Sequence, residues 1–289
     1  MAHDVQELAE EDLELESVTV CGRRFGIHRR RSNGIPAADA TGLVLWECAL
    51  LLAEYLGYGL WRDTSDARST TSLTWWQLHP PAPVVPARFW RSQPAVLELG
   101  GGCGLVTLAL RSLGARVVYT DGDAAALRLA QRNLRAETSE TQHRCHFRRL
   151  RFGDQAAAKT LLTELGPFGH VVGSDLVYGA EKSRRCALLD TLQALAEAQE
   201  MLEVKGSRTA APFLVTLAIK NRCCDEVELL VKEALEREIW TLRCAESRSL
   251  PESFQQEAEA FYGPPGRPSY CVVHLRFQRL EPPSKKRRT

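Results

Sequence analysis

The chain has 289 residues, 44% of them hydrophobic and 25% charged, which is ordinary globular usage with room for one large domain and its appendages. Lys plus Arg total 37 against 36 Asp plus Glu, so bulk charge singles out no partner class. The nine cysteines are odd in number, scattered and without a C-x-x-C pair, which argues against a disulfide framework or zinc ribbon and for reduced thiols in a cytoplasmic or nuclear protein.

Residues 1–16 form an acidic lead-in, with Asp4, Glu7, Glu10, Glu11, Asp12, Glu14 and Glu16 and no Lys or Arg. They lack the basic start and apolar stretch of a secretory signal. This lead-in is expected either to dock a basic partner or to fold back on the arginines at 23–31. "SVTVCGRRFGIHRR" alternates as a short hairpin turning through Gly22. Thr41-Gly42 then opens a buried helix over 43–56, "LVLWECALLLAEYL", too short to span a bilayer. Its Glu47 and Glu54 share one helical face and predict a single polar seam. Residues 57–94, rich in Gly, Ser, Thr and Pro, read as a long connection or insertion with a short helix near Trp75.

After Pro94 strands alternate with helices. "AVLELG" is a strand and "GLVTLALRSLG" a helix ending at Gly114. "ARVVYTD" is a strand, followed by the helix "GDAAALRLAQRNLRAE". "HFRRLRF" is a strand, 155–165 a helix, "GHVVGSD" a strand and 181–204 a long helix. "PFLVTLAIK" is a strand and 225–237 a helix. "REIWTLRCA" and "SYCVVHLRFQRL" close the chain with no helix between them, only a Pro- and Gly-bearing loop over 251–269, and so form an antiparallel pair. The alternation predicts an α/β domain with a mostly parallel sheet over 41–281, preceded by the lead-in and hairpin of 1–40 and followed by a basic tail, 282–289. His143, Cys145 and His146 sit close together, but no partner cluster follows, so a loop is preferred to a metal site there.

"LELGGGCG" sits at the turn from the first sheet strand into its helix, where α/β sheets bind ligands. Leu105 stands where a dinucleotide fingerprint needs glycine, and no lysine follows as in a phosphate loop. Glu98, just before the turn, would repel a pyrophosphate and suits a ligand with a positive end. Asp121 ends the second strand, where a carboxylate accepts from both hydroxyls of a ribose. Alternatively it caps the following helix, a task open to Asp123 as well. The site thus wants a nucleoside without phosphate and with a cationic portion, and S-adenosylmethionine, a sulfonium carrying an α-ammonium, fits.

"VLELGGGCGLVTLALRSLGARVVYTD" resembles the first two motifs of seven-strand S-adenosylmethionine-dependent methyltransferases. "TGLVLWECALLLAEYL", "LRLAQRNL" with Asn133, "LRFGD" and "GSDLVYGAEK" narrow the resemblance to the family 16 methyltransferases, which mostly modify protein lysines. It runs from about Thr41 to Leu280. It implies a seven-strand Rossmann-like sheet and puts Trp46, Gly100, Gly101, Gly102, Asp121, Phe152 and Ser174 around the cofactor. Phe152 replaces the tryptophan usual in the family; it can stack on adenine but has no indole N–H to donate. Trp46 can pack in the core at the same time.

Methyl transfer leaves the protein mainly the task of positioning an in-line displacement. In "GSDLVYGAEK", Asp175 is expected either to capture and orient an incoming ammonium or to relay its proton, and Tyr178 to offer its ring or hydroxyl. The bland alternative, Asp175 as a cap for the helix near Glu181, places it six residues too early. In a related tetrad that acts on bases or glutamine, two prolines precede the tyrosine; Leu176 and Val177 replace them, which disfavours a flipped base. A protein substrate follows, lysine before histidine, with no membrane and nucleic acid disfavoured, although the arginines at 23–31 keep it open. Small-molecule transfer and a non-catalytic cofactor-binding module are the remaining alternatives. The tail Lys285–Arg288 resembles a nuclear import signal, which makes the protein cytoplasmic, nuclear or both.

Overall fold

The structure, a computed structural model, describes residues 12–31, 41–61, 89–90, 92–137, 145–179, 181–206, 213–222, 226–237, 240–248 and 269–277. The expected helix near Trp75, most of the 251–269 loop and the basic tail lie outside these residues.

The hairpin forms from β1 (Leu13–Val20) and β2 (Arg23–Arg30), paired antiparallel. Its two turn residues, Cys21 and Gly22, both have positive φ, 48° and 72°, the pattern that matches the twist of a two-residue hairpin. The first strand starts inside the stretch read as a lead-in, where Leu13 is already buried, and Val18 and Val20 are buried further along it. Arg29 pairs with Glu14 at 3.1 Å and with Glu16. These two acids therefore fold back on the arginines of the facing strand.

The apolar run 43–56 is not one helix. Thr41–Leu43 is a 3-10 turn, and α1 (Glu47–Trp61) begins after Trp46. The indole Nε1 of Trp46 donates to the Thr41 carbonyl at 2.8 Å, and the Ala49 N–H donates to the Trp46 carbonyl, so Trp46 closes the turn and starts the helix. The polar seam is real: Glu47 meets Lys220 at 3.2 Å, and Glu54 accepts from the backbone N–H and thiol of Cys21.

Seven strands form the main sheet: β3 (Ala95–Leu99), β4 (Arg116–Asp121), β5 (Cys145–Arg149), β6 (His170–Ser174), β7 (Leu214–Asn221), β8 (Trp240–Arg248) and β9 (Ser269–Phe277). Their order is β5-β4-β3-β6-β7-β9-β8. The first five run parallel, and β9 is antiparallel to both its neighbours. This is the expected seven-strand, mostly parallel Rossmann-like sheet. The helices are α2 (Leu105–Ser112), α3 (Ala124–Glu137), α4 (Gln155–Leu165), α5 (Lys182–Gly206) and α6 (Glu226–Leu235). None is long and apolar enough to cross a membrane. Cys145 and His146 open β5; His143 lies outside the described residues.

Both faces of the sheet are covered, so strand residues are buried whichever way they point. Leu97, Leu99, Val171 and Leu217 pack toward α4, α5 and α6, while Val96, Val172 and Ala218 pack toward α1 and α2. Full burial of each such aliphatic contributes about 1.5–3 kcal/mol. Because β4 and β5 are added on one side of β3 and β6 and β7 on the other, the strand order switches sides between β3 and β6. The carboxyl ends of those two strands bound the crevice where open α/β sheets bind ligands.

Under α1 runs a buried polar chain. Tyr55 Oη meets His274 Nε2 at 2.8 Å, His274 Nδ1 meets Thr216 Oγ1 at 2.8 Å, and Thr216 Oγ1 meets His170 Nε2 at 2.7 Å. Burial, with a smaller contribution from His274, lowers the His170 pKa to about 3. The folded protein thus binds fewer protons than the unfolded chain between about pH 3 and the ordinary value near 6.5. The stability held by neutral His170 is complete above that range and falls as pH drops, by about 1.4 kcal/mol per unit. Urea unfolding from pH 7.5 to pH 4.5 is expected to show this slope, and His170→Asn to lack about one proton's worth of it; equal slopes for the two proteins would remove His170 as the cause.

Candidate functional site

The turn between β3 and α2 places bare backbone at the crevice. Gly100, Gly102 and Gly104 all have positive φ, 58°, 52° and 86°, a region open to glycine without steric cost. Gly101 is tight for a different reason: a Cβ there would stand 2.3 Å from the Tyr119 ring. Tyr119, fully buried, donates its hydroxyl to the Gly102 carbonyl at 2.7 Å. Asp121 ties the turn from the side, one carboxylate oxygen accepting from the Gly102 N–H at 3.0 Å and the other from the Asp123 N–H at 2.9 Å. The choice between the two acids is resolved: Asp123 caps α3, accepting from Ala125 N–H at 2.8 Å, and Asp121 belongs to the turn.

Asn133 on α3 is wholly buried and joins the hairpin to this turn. Its amide nitrogen donates to the carbonyls of His28 and Cys103, both at 2.9 Å, and its oxygen accepts from the His28 N–H. Thr41-Gly42 lies across the turn from above, with Gly42 O 3.3 Å from where a Cβ on Gly102 would stand. The "TGLVLW" segment is therefore a wall of the crevice.

A cavity of about 1090 Å³ opens there. It is lined by Trp46, Gly100, Gly101, Gly102, Asp121, Phe152, Ser174, Asp175 and Tyr178, all of which the sequence singled out. Glu98 is the exception. The strand pleat that sends Leu97 and Leu99 to one face sends Glu98 to the other, beneath the turn, where Thr107 donates to it. It is fully buried, and burial raises its pKa to about 8. Its carboxyl is thus a support of the turn from below, not the wall that was expected to face a positive ligand.

Phe152 is half-buried, its ring tip 3.7 Å from where a Cβ on Gly100 would stand. Trp46 and Leu150 add apolar surface. An adenine fits between such walls. Asp121 accepts from the backbone N–H groups of Gly102, Asp123 and Gly122, and a carboxylate offers about four acceptor sites, which leaves room for a ribose hydroxyl. The turn carries no lysine for a phosphate. The residues present therefore fit S-adenosylmethionine. Burial raises the Asp121 pKa, and the backbone N–H donors of Asp123 and Gly102 pull it back.

The other end of the cavity is the loop after β6. Asp175 adopts φ 52°, uncommon for a non-glycine residue, and its N–H donates to the Ala218 carbonyl on β7 at 2.8 Å. Its carboxylate is not free. Arg222 grips both oxygens, Nη1 to Oδ1 at 3.0 Å and Nη2 to Oδ2 at 2.6 Å. Burial raises the Asp175 pKa; the Arg222 hydrogen bonds and charge oppose it. Asp175 does not cap α5. Arg222 was missed from sequence; its guanidinium carbon lies 6.0 Å from the Trp46 ring centroid, and its backbone N–H is held by Glu226. Leu176 leans over the turn, since a Cβ on Gly100 would meet it at 2.5 Å, and Val177 enters the core. Tyr178 faces Arg184, whose guanidinium carbon is 4.7 Å from its ring centroid and whose Nε is held by Glu181.

Residues 36–211 match the sequence pattern of the family described as lysine methyltransferase. No curated protein sequence matches the chain. Among solved structures, a putative S-adenosylmethionine-dependent methyltransferase from Streptococcus mutans has a TM-score of 0.51 at 10% identity, over 94% of this chain and 56% of that one. A T. thermophilus 16S rRNA N2 methyltransferase in complex with S-adenosylmethionine and guanosine has a TM-score of 0.46 at 17% identity, over 92% and 51%. A glycopeptide N-methyltransferase complexed with S-adenosylmethionine has a TM-score of 0.40 at 16% identity, over 65% and 84%. At these identities the likeness is one of fold.

Proposed function

Since the chain belongs to the lysine methyltransferase family, whose cofactor is S-adenosylmethionine, we propose that it methylates a protein side chain, a lysine amine. The cofactor supplies an electrophilic methyl group on a sulfonium. The glycine turn, Asp121, Trp46 and Phe152 hold it at one end of the cavity, and the loop from Ser174 to Tyr178 receives the acceptor at the other.

The observation that best supports a side chain over a base is the packing of Leu176 and Val177. Leu176 folds back over Gly100 and Gly173, and Val177 is in the core. Neither residue is the proline that shapes a flat stacking floor for a flipped base. A lysine must lose its proton before attack. With an ordinary pKa near 10.4, holding the neutral form at pH 7 costs about 4–5 kcal/mol. Desolvation in the cavity lowers that cost. The Tyr178 ring and hydroxyl, fixed beside Arg184, orient the nitrogen.

Tritiated S-adenosylmethionine and the purified protein are expected to label a protein band in a cell lysate. The band survives nuclease, and mass spectrometry places the methyl group on lysine. Label only in nucleic acid or small molecules rejects the protein substrate, a methylated histidine rejects lysine, and no label together with measurable cofactor binding identifies a non-catalytic module.

A further inference from the structure

The acceptor end holds two ion pairs that close on each other. Asp175 after β6 is paired with Arg222 after β7, and Glu47 at the start of α1 is paired with Lys220 on β7. The side chains of Asp175 and Lys220 are 5% and 3% exposed and those of Arg222 and Glu47 21% and 19%, so the group is shielded but reachable from the cavity that Asp175 and Arg222 both line. The charged groups acting on Asp175 are Arg222 and Lys220 on one side and Glu47 on the other, and the Cys48 thiol lies near enough to feel Asp175. Behind the fork a further carboxylate, the fully buried Glu226, holds the Arg222 N–H.

A bare carboxylate at this position would work against the reaction. It would hold an incoming lysine as its ammonium, the form that cannot attack. An arginine fork is rigid, always charged and matched to both carboxylate oxygens. We propose that Arg222 is a positioning residue that keeps Asp175 compensated, so that the acceptor nitrogen is held in the site neutral instead of as an ammonium paired with Asp175. The proposal rests on the reading of the acceptor as an amine. It replaces the picture of Asp175 as an open handle. Asp175 and Arg222 act as one polar surface that orients a neutral nitrogen, and the proton leaves to solvent as the cavity desolvates the amine.

The test uses the lysate band labelled by the full-length wild-type protein as acceptor, in single turnover with enzyme and cofactor in saturating excess, so that the rate constant reports the amine bound in the site, from pH 6.5 to pH 9.5. Arg222→Gln exposes Asp175, which strengthens its hold on a proton shared with the amine. The acid limb of the profile is expected to move up by about one pH unit or more, with about a tenfold loss at pH 7. Arg222→Lys keeps the charge and keeps most of the limb in place. In Asp175→Asn/Arg222→Gln neither charge remains, and the limb returns to its wild-type position even where the plateau rate stays low. A purely structural Arg222 would lower the rate equally at every pH and would gain nothing from the second substitution; either result overturns the inference. Cofactor affinity and thermal unfolding of each variant, measured on the protein alone, separate misfolding from a moved limb. If the wild type labels no band, the amine reading fails and this inference with it; wild-type label with an unmoved Arg222→Gln limb rejects the inference alone.

Discussion

Gly101→Ala is expected to lower cofactor affinity by about 100-fold or more and the thermal midpoint by several degrees. The added methyl would stand 2.3 and 2.6 Å from two carbons of the Tyr119 ring and 3.1 Å from the Glu98 carboxyl carbon. Neither neighbour can withdraw. Tyr119 is fully buried, packs 5.3 Å from Phe147 and holds the Gly102 carbonyl with its hydroxyl. Glu98 is fully buried against Thr107. The turn itself must lift, which breaks the Gly101 N–H bond to the Thr120 carbonyl and the Gly102 N–H bond to Asp121. Overpacking of this kind costs about 1–3 kcal/mol, and a domain of this size loses about 2–4 °C per kcal/mol. The affinity loss adds to that because the lifted backbone is the surface the cofactor meets. Gly100→Ala is the comparison: its methyl meets only the flexible end of Leu176, although its φ of 58° adds some strain. Isothermal titration with S-adenosylmethionine and a thermal melt of both variants decide the matter, and wild-type affinity in Gly101→Ala would remove the turn from the cofactor site.

The sheet was legible because its strands and helices alternate in period, and β3, β4 and β6 are short apolar runs closed by a glycine, an acid or a serine. The cofactor end was legible for the same reason: Gly100 to Gly104, Asp121 and Ser174 all fall at carboxyl ends of strands, and strand ends in a parallel sheet share one edge. What local pattern could not carry was direction across the pleat and pairing between distant strands. Glu98 was placed in the cavity because it lies near the turn in sequence, yet its register on β3 turns it toward α2. Arg222 was just as visible at the end of β7, but its meaning depends on β7 lying beside β6, and it is Ala218 on β7 that receives the Asp175 N–H. The break at Val44–Trp46 was hidden by uniform hydrophobicity; it arises from one side-chain bond, Trp46 to the Thr41 carbonyl. Asn133 was noticed only through resemblance, and its work in tying the hairpin to the turn is a long-range contact.

Asp175→Asn is expected to reduce methyl transfer by about 100-fold or more while cofactor affinity stays within about threefold of wild type. Asparagine is the informative replacement because the position has φ 52°. Asn tolerates that left-handed conformation, whereas alanine incurs about 1–2 kcal/mol there. Asparagine also keeps one acceptor for Arg222. What it removes is one negative charge beside Arg222 and Lys220. The site is then more positive, so a bound amine loses its proton at lower pH and the acid limb moves down, opposite to the shift expected for Arg222→Gln, while the neutral nitrogen loses a carboxylate oxygen that orients it and the plateau rate falls. Asp175→Ala should lose the same transfer and melt lower as well, because the guanidinium loses both of its partners' oxygens. That extra cost stays below the full penalty for breaking a buried pair, since the Arg222 side chain is 21% exposed and some water reaches it. Single-turnover transfer to the labelled band, calorimetric cofactor binding and thermal melts of the two variants separate these contributions. Transfer by Asp175→Asn within tenfold of wild type, with the limb in place, would leave Asp175 a structural role only.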